Sequence, residues 1–231
     1  MKTGTCGFCE SRMKIYKDFE VLELQNTFYD FVKNEWLKKL RDEAPEYFEF
    51  TIKGIQIITH KIKSPTYRRF KSIYGKAENY GHFRDTEEVK EAMEKMIEYA
   101  KIMESRIIIL QSPPDFCESD ENVKNIRNFF KIFKKRSIIY GWEPRGKWKN
   151  ETIREIAMDF GIVHVVDPFK EQSIYGEFKY YRLHGKNSYS YNYTTDDLYY
   201  LKKITNENDY VMFNNTHMCE NAKTFKEMVK K

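Results

Sequence analysis

Hydrophobic and polar residues alternate along this chain in blocks that indicate strands and helices in turn. The strand-like blocks are short runs of β-branched, aliphatic and aromatic residues, bounded by polar or turn residues. We predict strands over residues 3–5, 19–24, 48–53, 106–111, 137–143, 162–166, 178–183 and 209–214. In the other blocks apolar residues recur at three- to five-residue spacing, which is typical of helices with one buried face. We predict helices over residues 27–41, 86–103, 123–133, 151–160, 195–204 and 221–230.

Strands that alternate with helices are expected to run parallel, because each helix returns the chain to the same end of the sheet. Eight such strands predict an α/β fold of the (β/α)8 type, a TIM barrel, with some irregular or shortened helices. The 231 residues fit this fold, although a plain barrel of this type has roughly 250. We find no internal repeat and no Pro/Gly/Ser linker, so residues 1–231 are predicted to form a single TIM-barrel domain.

Residues at three predicted helix ends carry capping signals. Asp85, three residues before Glu88, is a plausible capping pair for the helix over 86–103. Asn150 is expected to cap the helix that it precedes, and Gly161 to end that helix in a left-handed conformation.

The composition fits a folded, soluble protein. Hydrophobic residues make up 41% and charged residues 32% of the chain, and the two charge signs are mixed, as on solvated helix faces. We predict a cytoplasmic protein with no membrane partner, since we find neither a signal-peptide pattern nor a run of the ~18 apolar residues that cross a bilayer. The net charge of +5 is small but compatible with an anionic partner.

The four cysteines are Cys6, Cys9, Cys117 and Cys219. They are too few and too scattered for a disulfide framework, and a cytoplasmic setting keeps most thiols reduced. Cys6 and Cys9 form the only close pair, and we expect them to be structural because a second pair of ligands for a zinc site is missing.

Ionisable and amide side chains recur where the predicted strands end. In a TIM barrel the carboxyl ends of the strands carry the active site, so these residues should meet at one mouth. The candidate catalytic residues are Glu143, His184, His60 and Lys53. The candidate substrate-binding residues are Arg145, Arg182, Glu23, Gln111, Asp167 and Asn214.

The chemistry of four of these side chains explains why they are candidates. Glu143 is suited to proton transfer, and Arg145 can hold a phosphate or carboxylate in its planar fork. Arg182 and His184 lie two apart on one strand and should both face the barrel interior if Leu183 faces the helices. His184 titrates near neutral pH.

The roles of two further residues stay open at this point. Lys53 could pair with Glu143, bind an anion or act as an amine nucleophile, and His60 is a second candidate proton carrier. A divalent metal is also an option, because scattered carboxylates and histidines have suitable donor atoms, although no ligand spacing links them.

Residues 61–84 are predicted to form a long basic and aromatic loop over the carboxyl face of the barrel. A loop of this length in a compact domain is usually functional or disordered. Basic groups with interleaved rings suit a nucleic-acid backbone with stackable bases. The candidate nucleic-acid-binding residues are Lys63, Arg68, Arg69, Lys71 and Tyr67.

Seven short motifs occur in an order that resembles the YecE-like family, known as domain of unknown function 72. They are residues 4–7 (GTCG), 21–29 (VLELQNTFY), 50–53 (FTIK) with 59–60 (TH), 110–113 (LQSP), 143–145 (EPR), 181–185 (YRLHG) and 213–215 (FNN). The resemblance runs through nearly the whole chain. It implies a TIM barrel with a groove at its carboxyl face, but no established activity. The matching positions are Glu23, Lys53, His60, Gln111, Glu143, Arg145, Arg182, His184 and Asn214.

Three functions follow as hypotheses. The first is a hydrolase-like enzyme that acts on an anionic small molecule or nucleic acid, with Arg145, Arg182 and Lys53 holding charge and Glu143 or His184 moving protons. The second is a non-catalytic nucleic-acid-binding module that uses the loop over 61–84. The third is a sugar-binding or sugar-hydrolysing protein with Glu143 and Asp167 as paired carboxylates.

Overall fold

Eight parallel strands close into one barrel in the computed structural model, which describes residues 1–134 and 137–230. Each strand pairs with the next along the chain, and β8 pairs with β1, which confirms the predicted TIM barrel. The strands are β1 Lys2–Cys6, β2 Val21–Leu24, β3 Glu49–Lys53, β4 Ile107–Gln111, β5 Ile139–Glu143, β6 Val163–Val166, β7 Tyr180–Leu183 and β8 Tyr210–Phe213.

The helices lie outside the barrel and connect its strands. They are α1 Arg12–Asp18, α2 Asn26–Tyr29, α3 Asn34–Glu43, α4 Gln56–Thr59, α5 Glu87–Ile102, α6 Asp120–Phe133, α7 Asn150–Phe160, α8 Thr195–Ile204 and α9 Met218–Lys230. Two short 3₁₀ helices, Pro65–Arg69 and Ala77–Asn79, lie in the loop that follows α4.

Side chains alternate between two packed layers along each strand. A small cluster that includes Ile107, Ile109, Val163 and Val165 fills the barrel interior, whereas the intervening residues join a larger cluster between the strands and the helices. Leu183 belongs to this outer cluster. Arg182 and His184 therefore both face the interior, as predicted.

One predicted helix is wrong, because residues 27–41 form two helices, α2 and α3, with an extended break between them. The carboxylate of Asp30 accepts hydrogen bonds from the backbone N–H of Phe31 and of Lys71. The hydroxyl of Tyr99 accepts from the N–H of Val32 and donates to its carbonyl. These contacts hold the break in place.

Of the three predicted capping residues or pairs, one is confirmed and two are wrong. Gly161 closes α7 with a φ of 66°, which confirms its left-handed conformation. The capping pair at α5 is wrong, since Thr86 occupies the cap position and the Glu88 carboxylate binds the N–H of Lys76 and the side chain of Asn79. Asn150 is the first residue of α7 rather than its cap.

A disulfide joins Cys9 to Cys219, with their Cα atoms 5.8 Å apart. Cys6 and Cys9 are close in sequence, but Cys9 is bonded to Cys219 and Cys6 is a free thiol, which corrects the expectation of reduced cysteines for this one pair. Cys9 lies in the loop after β1 and Cys219 in the first turn of α9, and the closed barrel makes β1 and β8 neighbours. Cys6 and Cys117 are free thiols. A crosslink that closes so long a stretch of chain stabilises a fold by typically 2–4 kcal/mol.

Among the described residues, no helix is both long and apolar enough to cross a membrane.

Candidate functional site

The interior residues at the carboxyl ends of the strands form one polar cluster, as the strand-end pattern predicts. Below them the barrel is filled by apolar side chains, so the polarity begins where the strands end. The cluster comprises Glu23, Lys53, Gln111, Glu143, Asp167, Arg182, His184 and Asn214, all of which are buried apart from Gln111, which is half-buried.

Arg182 is the centre of this cluster and is fully buried, with a relative exposure of 0%. Its Nη2 and Nε donate to the two carboxylate oxygens of Glu23 at 2.8 and 3.1 Å. Its Nη1 donates to Gln111 Oε1 at 2.9 Å and to Glu143 Oε2. Arg182 therefore lies beneath the surface of the site and holds two carboxylates in place.

The Glu23 carboxylate has further partners inside the barrel. The Tyr180 hydroxyl donates to Glu23 Oε2 at 2.9 Å and in turn accepts from Thr51 Oγ1 at 2.7 Å. Gln25 donates to the other oxygen of Glu23. These bonds satisfy a buried charge that would otherwise be costly.

Glu143 is ionised and paired on both oxygens. Arg145 Nη2 lies 2.6 Å from its Oε1, and Arg182 binds its Oε2. Burial by itself raises the pKa of Glu143, but the two guanidinium groups outweigh it and lower the pKa to about 2. Proton transfer by Glu143 is disfavoured by this arrangement, and so is a sugar hydrolase with Glu143 as its acid. A positioning role for Glu143 fits better.

His184 lies between a guanidinium and a carboxylate. Arg145 Nη2 is 2.7 Å from Nε2 and 3.2 Å from Nδ1 of the His184 ring. Two such similar distances place Nη2 off the in-plane direction in which either ring nitrogen would accept a hydrogen bond. Asp167 Oδ2 accepts from the backbone N–H of His184 at 3.1 Å and lies 3.7 Å from Nδ1. Burial lowers the pKa of His184, and Arg182 and Arg145 add to the effect against Asp167 and Glu143. The ring is therefore neutral at neutral pH.

Lys53 and His60 face the same space from β3 and from the end of α4. Lys53 Nζ lies 4.0 Å from the centre of the Phe28 ring. Burial and the nearby Arg182 lower the pKa of Lys53 to about 8. Thr59 Oγ1 is 2.7 Å from His60 Nδ1, and burial together with Lys53 lowers the pKa of His60 to about 3.

A pocket of about 450 Å³ opens above this cluster at the carboxyl face of the barrel. Its charged lining residues, within the part of the chain that the structure describes, are the cations Lys53, Arg145 and Lys170. The other lining residues are Gln25, Phe28, Tyr29, His60, Thr66, Gln111, Pro114, His184, Gly185, Asn187, Ser188, Tyr189 and Asn214.

The remaining predicted binding residues also lie at this mouth. Asp167 accepts from the N–H groups of His184 and Phe169 and pairs with Lys170 at 4.0 Å. Asn214 Oδ1 accepts from the Tyr189 hydroxyl at 2.6 Å.

The loop over 61–84 presents its predicted binding residues unevenly. Lys63, Arg68, Arg69 and Lys71 are exposed. Tyr67 is only 9% exposed, and its hydroxyl donates to the carbonyl of His60 at 2.8 Å, while its ring packs on Tyr80. The ring of Tyr67 is thus not presented for stacking on a base. Thr66 brings this loop into the pocket wall.

Sequence reasoning missed Lys170 and Tyr189 as site residues. Lys170 lies three residues after Asp167, in the loop that follows β6. Because the loops after the strands form the carboxyl face, this location could have identified Lys170 as a site residue. Tyr189 lies in the loop after β7, where its side chain reaches Asn214 at the end of β8. The sequence carries no local signal for that contact.

The structure does not gather the scattered metal-ligand candidates. Within residues 1–134 and 137–230, no group of three or more His, Cys, Asp or Glu side chains is arranged to hold a metal ion. The carboxylates of Glu23 and Glu143 are instead bound by Arg182.

A family model described as "Protein of unknown function DUF72" matches residues 10–231. The chain belongs to the DUF72 family. No match was found among curated proteins. The family match confirms the resemblance to the YecE-like family seen in the sequence.

Solved structures of DUF72 family proteins share the fold. One from Enterococcus faecalis V583 is 19% identical with a TM-score of 0.75, and the match covers 100% of this chain and 97% of that one. One from Thermotoga maritima MSB8 is 18% identical with a TM-score of 0.67, and the match covers 100% and 99% of the two chains. At these identities the likeness concerns the DUF72 barrel and not a reaction.

Proposed function

We propose that this DUF72 protein is a hydrolase-like enzyme that acts on an anionic, phosphate-bearing substrate at the carboxyl face of its barrel. The observation that carries the proposal is the charge of the pocket. Its charged lining is cationic, through Lys53, Arg145 and Lys170, while the two carboxylates below it, Glu23 and Glu143, are bound by the two guanidinium groups of Arg182 and Arg145. An anion that enters the pocket therefore meets positive charge first.

Arg145 is the main anchor for the anion in this proposal. Its Nη2 is engaged with Glu143 and His184, but its Nε is buried and has no hydrogen-bond partner within the described residues. A buried donor without a partner is costly. Because Arg145 lines the pocket, a turn of its side chain would let a phosphate or carboxylate oxygen satisfy this donor. The planar guanidinium suits such an oxyanion.

His184 is the proton carrier in this proposal. A neutral imidazole can accept a proton from a water molecule that attacks the bound phosphate. Asp167, which binds the backbone N–H of His184 and lies near its Nδ1, would stabilise the imidazolium that forms. Glu143 holds Arg145 between the anion and the histidine.

Binding of inorganic phosphate, measured by isothermal titration calorimetry, tests the anchor. Arg145→Gln should weaken binding by at least tenfold, because a hydrogen bond to a charged group contributes about 1.5–3 kcal/mol. Lys124→Gln, at an exposed position on α6, is the matched control and should leave affinity unchanged. Equal affinities of the wild type and Arg145→Gln would refute the proposed anchor.

Turnover is tested with a panel of phosphate monoesters and diesters. His184→Ala should abolish any hydrolysis that the wild type shows, while phosphate binding is largely kept. Full activity of a folded His184→Ala variant would remove His184 from the mechanism.

A second candidate function is binding of a nucleic-acid strand by the loop over 61–84. Lys63, Arg68, Arg69 and Lys71 are exposed, and their side chains form no ion pair with another described residue. Arg69 lies over the ring of Tyr29 at 5.0 Å, at the wall of the pocket. A strand bound along this loop could reach the pocket.

Salt dependence tests this second candidate with a single-stranded oligonucleotide. Affinity should fall linearly on a log–log plot against salt, with a slope of about −0.7 per phosphate contact. The double variant Arg68→Gln and Arg69→Gln should reduce that slope by about 1 to 2 and leave inorganic phosphate binding intact. Salt-independent affinity would exclude phosphate contacts.

The cytoplasmic location belongs to the same proposal. In a reducing cytoplasm Cys9 and Cys219 should exist largely as thiols. Alkylation of intact cells followed by mass spectrometry would read out their state, and full oxidation would argue against that location.

A further inference from the structure

The side chain of Lys53 stands apart from the other cations of the pocket. Arg145 pairs with Glu143, and Lys170 lies 4.0 Å from Asp167. Lys53 Nζ instead makes no hydrogen bond or ion pair to any described residue, although Lys53 is only 6% exposed. Its contact at 4.0 Å is with the face of the Phe28 ring.

Burial and a neighbouring cation weaken the ammonium form of Lys53, against the Phe28 ring face and the carboxylates of Glu23 and Glu143, which favour it. Burial removes water from Nζ, and Arg182 adds a repulsive charge, so that the pKa of Lys53 falls to about 8. A tenth or so of the molecules would then carry a free amine at pH 7, and about half at pH 8. Lysines that are desolvated or placed beside another cation are the ones that act as nucleophiles toward carbonyl groups.

We propose that Lys53 is an amine nucleophile that forms an imine with a small carbonyl compound whose phosphate or carboxylate group is bound by Arg145. The inference rests on anion binding in the proposed function and goes beyond it, because hydrolysis of a phosphate needs no covalent bond to Lys53. The pocket, at about 450 Å³, lies within the range of small-molecule sites.

The covalent step balances without an oxidant or reductant. The lone pair of Nζ attacks the carbonyl carbon, the C=O π electrons move to oxygen, and the oxygen takes up a proton from solvent to give a carbinolamine that is still protonated on nitrogen. The nitrogen then loses a proton, the hydroxyl takes up another, and water leaves as the C=N bond forms. The imine keeps one proton on nitrogen, and the carboxylates of Glu23 and Glu143, which act electrostatically on Lys53, stabilise that charge.

His184 is suited to the proton transfers. It is neutral and lines the pocket with Lys53, so that it can accept the proton that the nitrogen loses and return it to the leaving hydroxyl. The Tyr189 hydroxyl at the same wall takes no part, because it donates to Asn214 and burial raises its pKa to about 12.

Reductive trapping tests the proposal. The protein is incubated with pyridoxal 5′-phosphate or with pyridoxal, each with cyanoborohydride, and the modified lysine is located by peptide mapping. Lys53 should be labelled at least tenfold faster than the exposed Lys71, with a rate that rises through a midpoint near pH 8. The preference for Lys53 over Lys71 should be larger with the phosphate-bearing probe than with pyridoxal, since a ratio of two lysines cancels the intrinsic reactivity of each aldehyde, and inorganic phosphate should lower that preference.

Matched variants identify the residue. Lys53→Met should abolish the fast adduct, and Lys124→Met, at an exposed position on α6, should retain it. Mapping of the wild type decides the matter even if Lys53→Met folds poorly. Labelling of Lys53 no faster than that of Lys71 would overturn the inference.

The two proposals fail in different ways. If phosphate does not bind the wild type but pyridoxal still labels Lys53 rapidly, the anion-binding part of the inference fails together with the proposed function, while the nucleophile stands. If phosphate binds with the Arg145 dependence given above and neither aldehyde labels Lys53, the imine fails and the proposed function stands.

Discussion

Arg182 shows at the scale of a single residue how a buried charge can define a site. It gathers Glu23 from β2, Gln111 from β4 and Glu143 from β5 around one guanidinium. A buried ion pair of this kind is often close to neutral in net stability, because desolvation opposes the attraction. Loss of one partner is different, since it leaves the others buried and unpaired.

We therefore expect Arg182→Met to destabilise the fold by about 3–5 kcal/mol. Urea denaturation followed by circular dichroism would measure the loss. Arg12→Met is the matched control, because Arg12 pairs with Glu43 at the surface and such pairs contribute less than about 1 kcal/mol. Similar losses in the two variants would contradict the role of Arg182.

A second residue-scale prediction concerns the ionisation of His184. Binding of phosphate beside Arg145 should raise the pKa of His184, because the anion offsets the guanidinium charges that help to lower it. The imidazole resonances, followed by NMR titration with and without phosphate, would measure the change. An unchanged or lower pKa with phosphate bound would mean that the anion lies elsewhere.

At the scale of the elements, the segment between α4 and α5 holds part of the pocket wall through an unusual backbone. Gly81, His82 and Phe83 all have positive φ angles, and the Gly81 N–H donates to the carbonyl of Ile57 at 2.7 Å. A Cβ on Gly81 would overlap the backbone at His60 and Lys61. His60 lines the pocket, so this crowding lies close to the site.

Gly81→Ala is therefore expected to cost more stability than Gly161→Ala. Both glycines have positive φ, which costs an alanine about 1–2 kcal/mol, but an added Cβ on Gly161 meets no atom within 4 Å. Gly81→Ala should also weaken phosphate binding, because His60 must move. Thermal denaturation and calorimetry would measure both effects, and equal costs would show that the backbone yields at Gly81.

The elements that sequence reasoning found are those whose own residues specify them. The helix over 195–204 was predicted with its observed bounds, because its apolar face and its capping residues are local. The break between α2 and α3 depends on Tyr99, far away in sequence, and α1 and α4 are too short to show a period.

In the candidate site, too, the features set by local sequence were predicted and those set by distant contacts were not. The interior positions of Lys53, Glu143 and Arg182 follow from strand parity, which is a local property. The pairing of Arg182 with two carboxylates does not, and neither does the burial of Tyr67, because both depend on contacts between elements that are distant in sequence.

At the scale of the whole molecule, buried histidines make the fold sensitive to acid. Burial lowers the pKa values of His60, His82, His164 and His184 below their ordinary value of 6.5. The unfolded chain thus binds more protons than the folded one below pH 6.5. The contribution of these histidines should be complete above that pH and should fall as the pH decreases toward 3, and Glu143 adds to the loss below about 4.5.

We expect the melting temperature to fall steadily between pH 6.5 and pH 4, as scanning calorimetry would show. For His60, with a pKa of about 3, the full effect is on the order of 5 kcal/mol. His60→Gln should flatten the profile, whereas His217→Gln, at a partly exposed position, should not. A melting temperature that is constant over this range would contradict the prediction.

The Cys9–Cys219 bond has a consequence for covalent topology. It closes a macrocycle across a sequence separation of 210, and the loop over 61–84, with exposed Arg68 and Arg69, lies inside it. A single tryptic cut there opens the macrocycle without releasing a fragment, so the mass of the protein increases by one water. Two polypeptides separate only after reduction. While the disulfide is intact, cleavage of this loop breaks the backbone and leaves the protein one molecule.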